Sequence, residues 1–91
     1  MKDNIKATER ILKALANRRR LAIVKYLKKE KEATVGDIAE EIKISFTATS
    51  KHLGVLAAAD ITEKEQRSSE MWYRLSSECH HIAKYISHSL E

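Results

Sequence analysis

The chain contains no proline, two glycines and one cysteine, and its longest apolar run is the five residues 55–59. Each shortage excludes something. A membrane-spanning helix needs about 20 consecutive apolar residues, so none is encoded. One cysteine cannot close an internal disulfide, and with no secretory leader the chain reads as cytoplasmic. With no proline, linker or internal repeat, no domain boundary is marked, and residues 1–91 are expected to form one domain around one core. There is no strand-turn nucleophile elbow, no glycine-rich phosphate loop and no paired carboxylate motif, and a chain this short leaves little room for a substrate pocket. An enzyme is not expected, nor is a cofactor. A domain of this size is marginal alone, which leaves a partner subunit or a metal as its support.

Charge is plentiful but lopsided. The formal net charge is +4, and residues 1–31 hold eleven Lys/Arg against three acids while residues 32–91 hold six against ten. A basic half points to an anionic partner. The triplet Arg18-Arg19-Arg20 sharpens this, because three adjacent guanidiniums repel one another unless an anion lies nearby.

Periodicity predicts the elements. Ile5, Thr8, Ile11, Leu12 and Leu15 recur at helical spacing, giving a first helix over about 3–16. Asn17 caps a second over 18 to about 29, with Leu21, Ile23, Val24 and Leu27 inward. Thr34 with Asp37 three residues on forms a capping box for a short helix to about 42, burying Ile38, Ala39 and Ile42. After a tight turn at Lys43-Ile44, Ser45 caps a fourth helix over 46–59, ended by Asp60 in a left-handed conformation. The period then drops to two. Residues 61–66 and 70–75 read as strands around Arg67-Ser68-Ser69, with Met71, Tyr73 and Leu75 on one face and Trp72 and Arg74 on the other. Trp72 is assigned to packing of the hairpin. Ser76 or Ser77 caps a last helix, over about 77–90, with Cys79, Ile82, Ala83, Ile86 and Leu90 along one stripe.

The expected fold is mainly α with a β-hairpin, a winged helix-turn-helix of order α-α-α-α-β-β-α. Residues of the fourth helix, placed 100° apart with Ser50 at zero, put Phe46, Thr47, Lys51 and Gly54 between about −40° and +100°. Ala48, Thr49, His52, Leu53, Val55, Leu56 and Ala59 take the other arc. The outer face is small, polar and near the N-terminus, which suits entry into a major groove. Thr and Ser hydroxyls pair with base edges, Phe46 meets a thymine methyl and Lys51 neutralises a phosphate. Gly54 fits either a close approach of the DNA backbone or close packing of helices.

The segments ILKALANRRRLAIVKYL, TVGDIAEEIKIS, SFTATSKHLGVL and MWYRLS, spanning residues 11–76, resemble the ArsR/SmtB-type winged-helix transcriptional repressors. The resemblance implies a homodimer built from the first and last helices, operator binding by the fourth helix, and a wing that reaches the flanking backbone. It matches Ser45, Thr47, Ser50, Lys51 and His52 to the recognition segment, Arg20 to the second-helix arginine, and Tyr73 and Arg74 to the end of the wing. Two positions depart from the family: Phe46 replaces a polar residue, and Arg18-Arg19 replace Pro-Thr. The DNA-contacting set is therefore Ser45, Phe46, Thr47, Ser50, Lys51, His52, Arg18, Arg19, Arg20 and the wing's Arg67. Dimerisation falls to Ile5, Leu12, Cys79, Ile82 and Ile86.

Many members of the family release DNA on binding a metal. The thiolate site of the third helix would fall on Thr34 and Gly36, which supply no thiolate. The zinc site of the last helix is half present: His88 and Glu91 match, but Leu75 and Ser77 cannot ligate. The terminal Leu90-Glu91 also reads as the scar of a removed tag. No metal site is expected, the weak candidates being His81 and His88. Cys79 reads as a small buried hydrophobe, with a Cys79 to Cys79 bridge across the dimer as the redox alternative. Two other functions stay open. One is a protein-interaction winged helix, given the single cation Lys51 on the reading helix and the acidic Glu63, Glu65 and Glu70 in the wing. The other is a zinc- or nickel-responsive repressor using histidines of the last helix.

Overall fold

The computed structural model describes residues 5–90. Along the chain run α1 (Ile5–Leu15), α2 (Arg18–Glu30), β1 (Ala33–Thr34), α3 (Val35–Ile42), α4 (Phe46–Ala58), β2 (Thr62–Arg67), β3 (Glu70–Leu75) and α5 (His81–Ser89). Residues 3 and 4 of the expected first helix, and Glu91, lie outside the described residues.

Helix starts are fixed by side-chain acceptors for amides that have no partner within the helix. Asn17 Oδ1 accepts from the amides of Arg19 and Arg20 at 2.9 and 3.1 Å. Thr34 Oγ1 accepts from Asp37 at 3.1 Å, and Ser45 Oγ from Ala48 at 3.0 Å. The turn between α3 and α4 closes on Lys43, whose left-handed backbone (φ 67°, ψ 47°) lets its amide donate to Ala39. Asp60 ends α4 at φ 60°, as expected.

The core is one cluster drawn from every helix and the sheet. Ile23, Ile38, Leu53 and Leu56 are fully shielded, with Ile11 and Leu15 of α1, Val24 and Leu27 of α2, Tyr73 of β3 and Ala83 of α5 around them. Each such side chain contributes roughly 1.5–3 kcal/mol by leaving water. Helix α4 packs on α1, α2, α3 and β2, which leaves one side of it bare.

Four expectations are corrected. A two-residue strand, β1, pairs antiparallel with β3 (Ala33 with Tyr73, Thr34 with Trp72) in a sheet of order β1-β3-β2; two residues are too short to show a period. Arg67 is the last residue of β2, opposite Glu70, so the hairpin turns on Ser68-Ser69 alone. Val55 is 41% exposed rather than inward. Finally, α5 starts four residues later than expected. The Ser76 hydroxyl accepts from the nearby Glu78 amide, and His80 Nδ1 caps the helix by accepting from Ile82 at 3.1 Å. Cys79 therefore precedes the last helix instead of lying on its stripe.

Lys43→Gly is expected to stabilise the fold. Relief of roughly 1–2 kcal/mol of left-handed strain exceeds the roughly 0.5–1 kcal/mol of chain entropy that glycine adds to the unfolded state. Urea denaturation reads the gain, and Lys43→Val is expected to shift the midpoint the other way.

Candidate nucleic-acid interface

The bare side of α4 carries Phe46, Thr47, Ser50, Lys51, Gly54 and Val55, all exposed, with Phe46 at 62%. Its covered side carries Thr49, Leu53 and Leu56, none with exposed surface. Thr49 is tolerated there because its hydroxyl donates to the Ser45 carbonyl at 2.8 Å. Ser45 is tied at the same place, its hydroxyl accepting the Ala48 amide as the helix cap. A Cβ built on Gly54 meets nothing within 4 Å, so the glycine serves no packing within this chain. Of its two readings, close packing of helices inside the domain is excluded.

The arginine triplet divides. Arg18 and Arg19 are exposed at the start of α2. Arg20 is half-buried and turned inward: its guanidinium donates to the carbonyls of Ala14 and Lys13 and meets Nδ1 of His52 at 3.2 Å. Three of its five N–H groups are thereby engaged inside the fold. His52 is half-buried on the flank of α4 facing Arg20. Much of the remaining N-terminal basicity lies elsewhere. Lys25, Lys28, Lys29 and Lys31 line a cleft with Ser87 and Leu90, at the C-terminal end of α2, where cations complement the helix dipole.

The wing is held by ion pairs. Arg67 binds Glu32 through both Nη atoms at 3.1 and 2.8 Å and also reaches Glu65 at 3.0 Å. Its guanidinium lies 4.8 Å from the centre of the Trp72 ring, a cation–π contact. Arg74 joins Glu65 at 3.1 Å and Glu63 at 3.6 Å. Hydrogen bonds from Arg67 hold the Glu32 carboxyl below the usual carboxylate range, those from Arg67 and Arg74 do the same for Glu65, and both push Arg67 further up. Arg67, expected to contact DNA from the turn, lies in the strand and is engaged there by two carboxylates and a ring. Glu32 was missed because nothing in the sequence links it to a residue 35 positions away.

Residues 10–65 match the helix-turn-helix domain family, more than half of the chain. The chain belongs to this family. Among curated relatives of this helix-turn-helix domain are the transcriptional activator HlyU of Vibrio cholerae, 34% identical over 67 residues, and the nodulation protein NolR of Rhizobium meliloti, 36% identical over 67 residues. Each match covers 74% of this chain but only 61% and 54% of the relatives' own lengths. Among solved structures, HlyU from Vibrio cholerae superposes with a TM-score of 0.82 at 29% identity, covering 98% of this chain and 94% of that one. The homodimeric winged helix-turn-helix DNA-binding domain of Mb0332 from Mycobacterium bovis gives 0.82 at 28%, covering 93% and 76%. These neighbours are ArsR-family winged-helix regulators, so the resemblance carried by the sequence motifs holds.

In this helix-turn-helix domain the sensor positions are occupied by other chemistry. Thr34 caps α3, and a Cβ at Gly36 would meet only Thr34 Oγ1, at 3.9 Å. His81 and His88 are exposed, the His81 ring stacks on His80 at 4.3 Å, and Leu75 is in β3. Among the described residues no three His, Cys, Asp or Glu side chains gather as a metal site, and the Glu91 half of the zinc match lies outside them. Cys79 is half-buried, and burial pushes its thiol up, away from the thiolate. No helix among the described residues is long and apolar enough to cross a membrane.

The clamp on the wing has a testable pH dependence. The lowered carboxyls of Glu32 and Glu65 contribute fully above the ordinary value of 4.5 and lose their contribution as pH falls through their lowered values. At pH 7, Glu32→Gln is expected to speed amide exchange across residues 66–72 by roughly threefold or more, with α2 unchanged. Exchange measured by NMR on both proteins checks it, and equal rates in the two would remove Glu32 as the anchor.

Proposed function

We propose that the chain is a sequence-specific, DNA-binding transcriptional regulator of the ArsR type that acts as a homodimer in the cytoplasm, repressing where its operator overlaps a promoter. The observation that carries the reading is the bare side of α4. A helix in a major groove needs small polar residues near its N-terminus and no bulk where the sugar-phosphate chain passes. Thr47, Ser50 and Gly54 answer that description, with Lys51 for a phosphate and Phe46 for a thymine methyl. Ser45 and the exposed Arg18 and Arg19 complete the contact set.

Self-association is supported by what α1 and α5 leave uncovered. Ile5 is 87% exposed, Leu12 48% and Tyr85 72%, with Ile82 and Ile86 half-buried beside them. Apolar side chains on two contacting helices form a patch of the kind that subunits bury. Two copies would present two α4 helices to half-sites about 34 Å apart, or a similar near-integral number of turns. Homologues of this chain are regulators rather than enzymes. The protein-interaction reading is not favoured, and a zinc or nickel effector at His81 and His88 has no third ligand among the described residues.

A duplex selected by the protein from a random library provides the probe. Thr47→Ala and Ser50→Ala are each expected to lower the specific-to-non-specific ratio by roughly 5- to 150-fold, the range set by the loss of about 1–3 kcal/mol of base contact. Lys51→Ala is expected to weaken all duplexes alike and reduce the salt slope by about one. Gly54→Ala is expected to stabilise the free protein by roughly 1 kcal/mol in thermal unfolding while weakening duplex binding. Unchanged preference in Thr47→Ala by mobility shift would refute the assigned reading face.

A further inference from the structure

Arg20 links three elements. Its Nε donates to the Ala14 carbonyl and its Nη2 to the Lys13 carbonyl at 3.2 Å, which satisfies the free carbonyl end of α1. Its Nη1 lies 3.2 Å from Nδ1 of His52 on α4. A guanidinium has donors only and stays protonated at any physiological pH. Nδ1 is therefore the acceptor, and the proton of the neutral imidazole sits on Nε2. Nε2 makes no hydrogen bond with a described residue, and His52 is half-buried, not enclosed. The ring follows Lys51 directly in sequence, on the helix that bears the bare reading side.

We propose that Arg20 is a positioning residue: it holds the His52 ring in the Nε2–H tautomer on the flank of α4, as a neutral donor for a backbone phosphate, and ties that donor to the end of α1. The proposal rests on the DNA-binding reading above. A cation on one side of the imidazole polarises the N–H on the other, strengthening the bond it gives to an anion. Among the described residues, the charged groups that act on the ring are Arg20 and Arg19, both of α2. Desolvation first, then these two cations, keep the ring's pKa below its ordinary value, which favours the neutral form. Acidification removes it, because a protonated Nδ1 cannot accept from Arg20.

Long-range nitrogen–proton NMR of the histidine rings in the full chain tests the geometry without DNA. Wild-type His52 is expected to show the Nε2–H tautomer and to titrate below 6.5. Arg20→Lys, which keeps the charge, and Arg20→Gln are expected to mix the tautomers, and the Gln variant to raise the midpoint. On a duplex selected from a random library, Arg20→Gln and His52→Gln are each expected to lower affinity roughly tenfold. The double variant is expected to lose no more than either alone, and Arg20→Gln to leave the salt slope unchanged. An Nδ1–H tautomer in the wild type overturns the proposal. So does a slope reduced by about one in Arg20→Gln, which makes Arg20 a phosphate ligand itself, or effects that multiply in the double variant. Wild-type protein that retains no duplex overturns the phosphate role and the DNA reading together, while an Nε2–H signal in it leaves the Arg20 clamp standing, so the two failures are distinct.

Discussion

A helix that offers a ligand only small, weakly polar side chains has to be fixed in place by its opposite face. In this chain that constraint falls on Thr49, Leu53 and Leu56, which are wholly shielded, and on the Ser45 carbonyl that receives both the amide and the hydroxyl of Thr49. The inner arc supplies the apolar burial and the cap supplies the register. Because neither depends on the outer residues, the outer residues are free to be chosen for what they touch. Phe46 illustrates the freedom: a large aromatic at 62% exposure contributes little to this core and has no role in the cap.

The electrostatics follow a similar division. Over residues 62–75 the wing has three acids and three bases, and its arginines are satisfied within the domain by Glu32, Glu63 and Glu65. The N-terminal half holds the basic surplus, yet one arginine of its triplet is turned inward and four lysines crowd the far end of α2. Few cations therefore remain beside the bare side of α4. Such a surface binds polyanions weakly in general and leaves discrimination to shape and hydroxyl geometry.

Most of the architecture was legible in the sequence because it rests on local chemistry. Asn17, Thr34 and Ser45 cap where their spacing to the apolar positions puts them, and Asp60 turns left-handed where the period changes. What stayed hidden depended on distant partners. The strand at Ala33-Thr34 exists only because Tyr73 and Trp72 lie opposite it, and Arg67 becomes a brace only because Glu32 faces it. Arg20 looked like one more surface cation until α1 and α4 were packed against it. The start of α5 was misread for a local reason of its own: a serine hydroxyl can fold back on a near amide as readily as it caps a helix. Val55, by contrast, sits at the edge of its arc, where a 100° wheel cannot decide exposure.

Thr34 is a strand residue and a helix cap at once: it pairs with Trp72 on one side and accepts the Asp37 amide on the other. Through that single residue the hairpin and the supporting helix α3 are joined as one rigid piece, with the Arg67–Glu32 clamp fastening the same corner to the end of α2. The wing cannot tilt without carrying the start of α3 along. A force applied at the hairpin tip is then delivered as a rotation of the whole corner, which makes the spacing between the wing and α4 a property of the scaffold rather than of a loop.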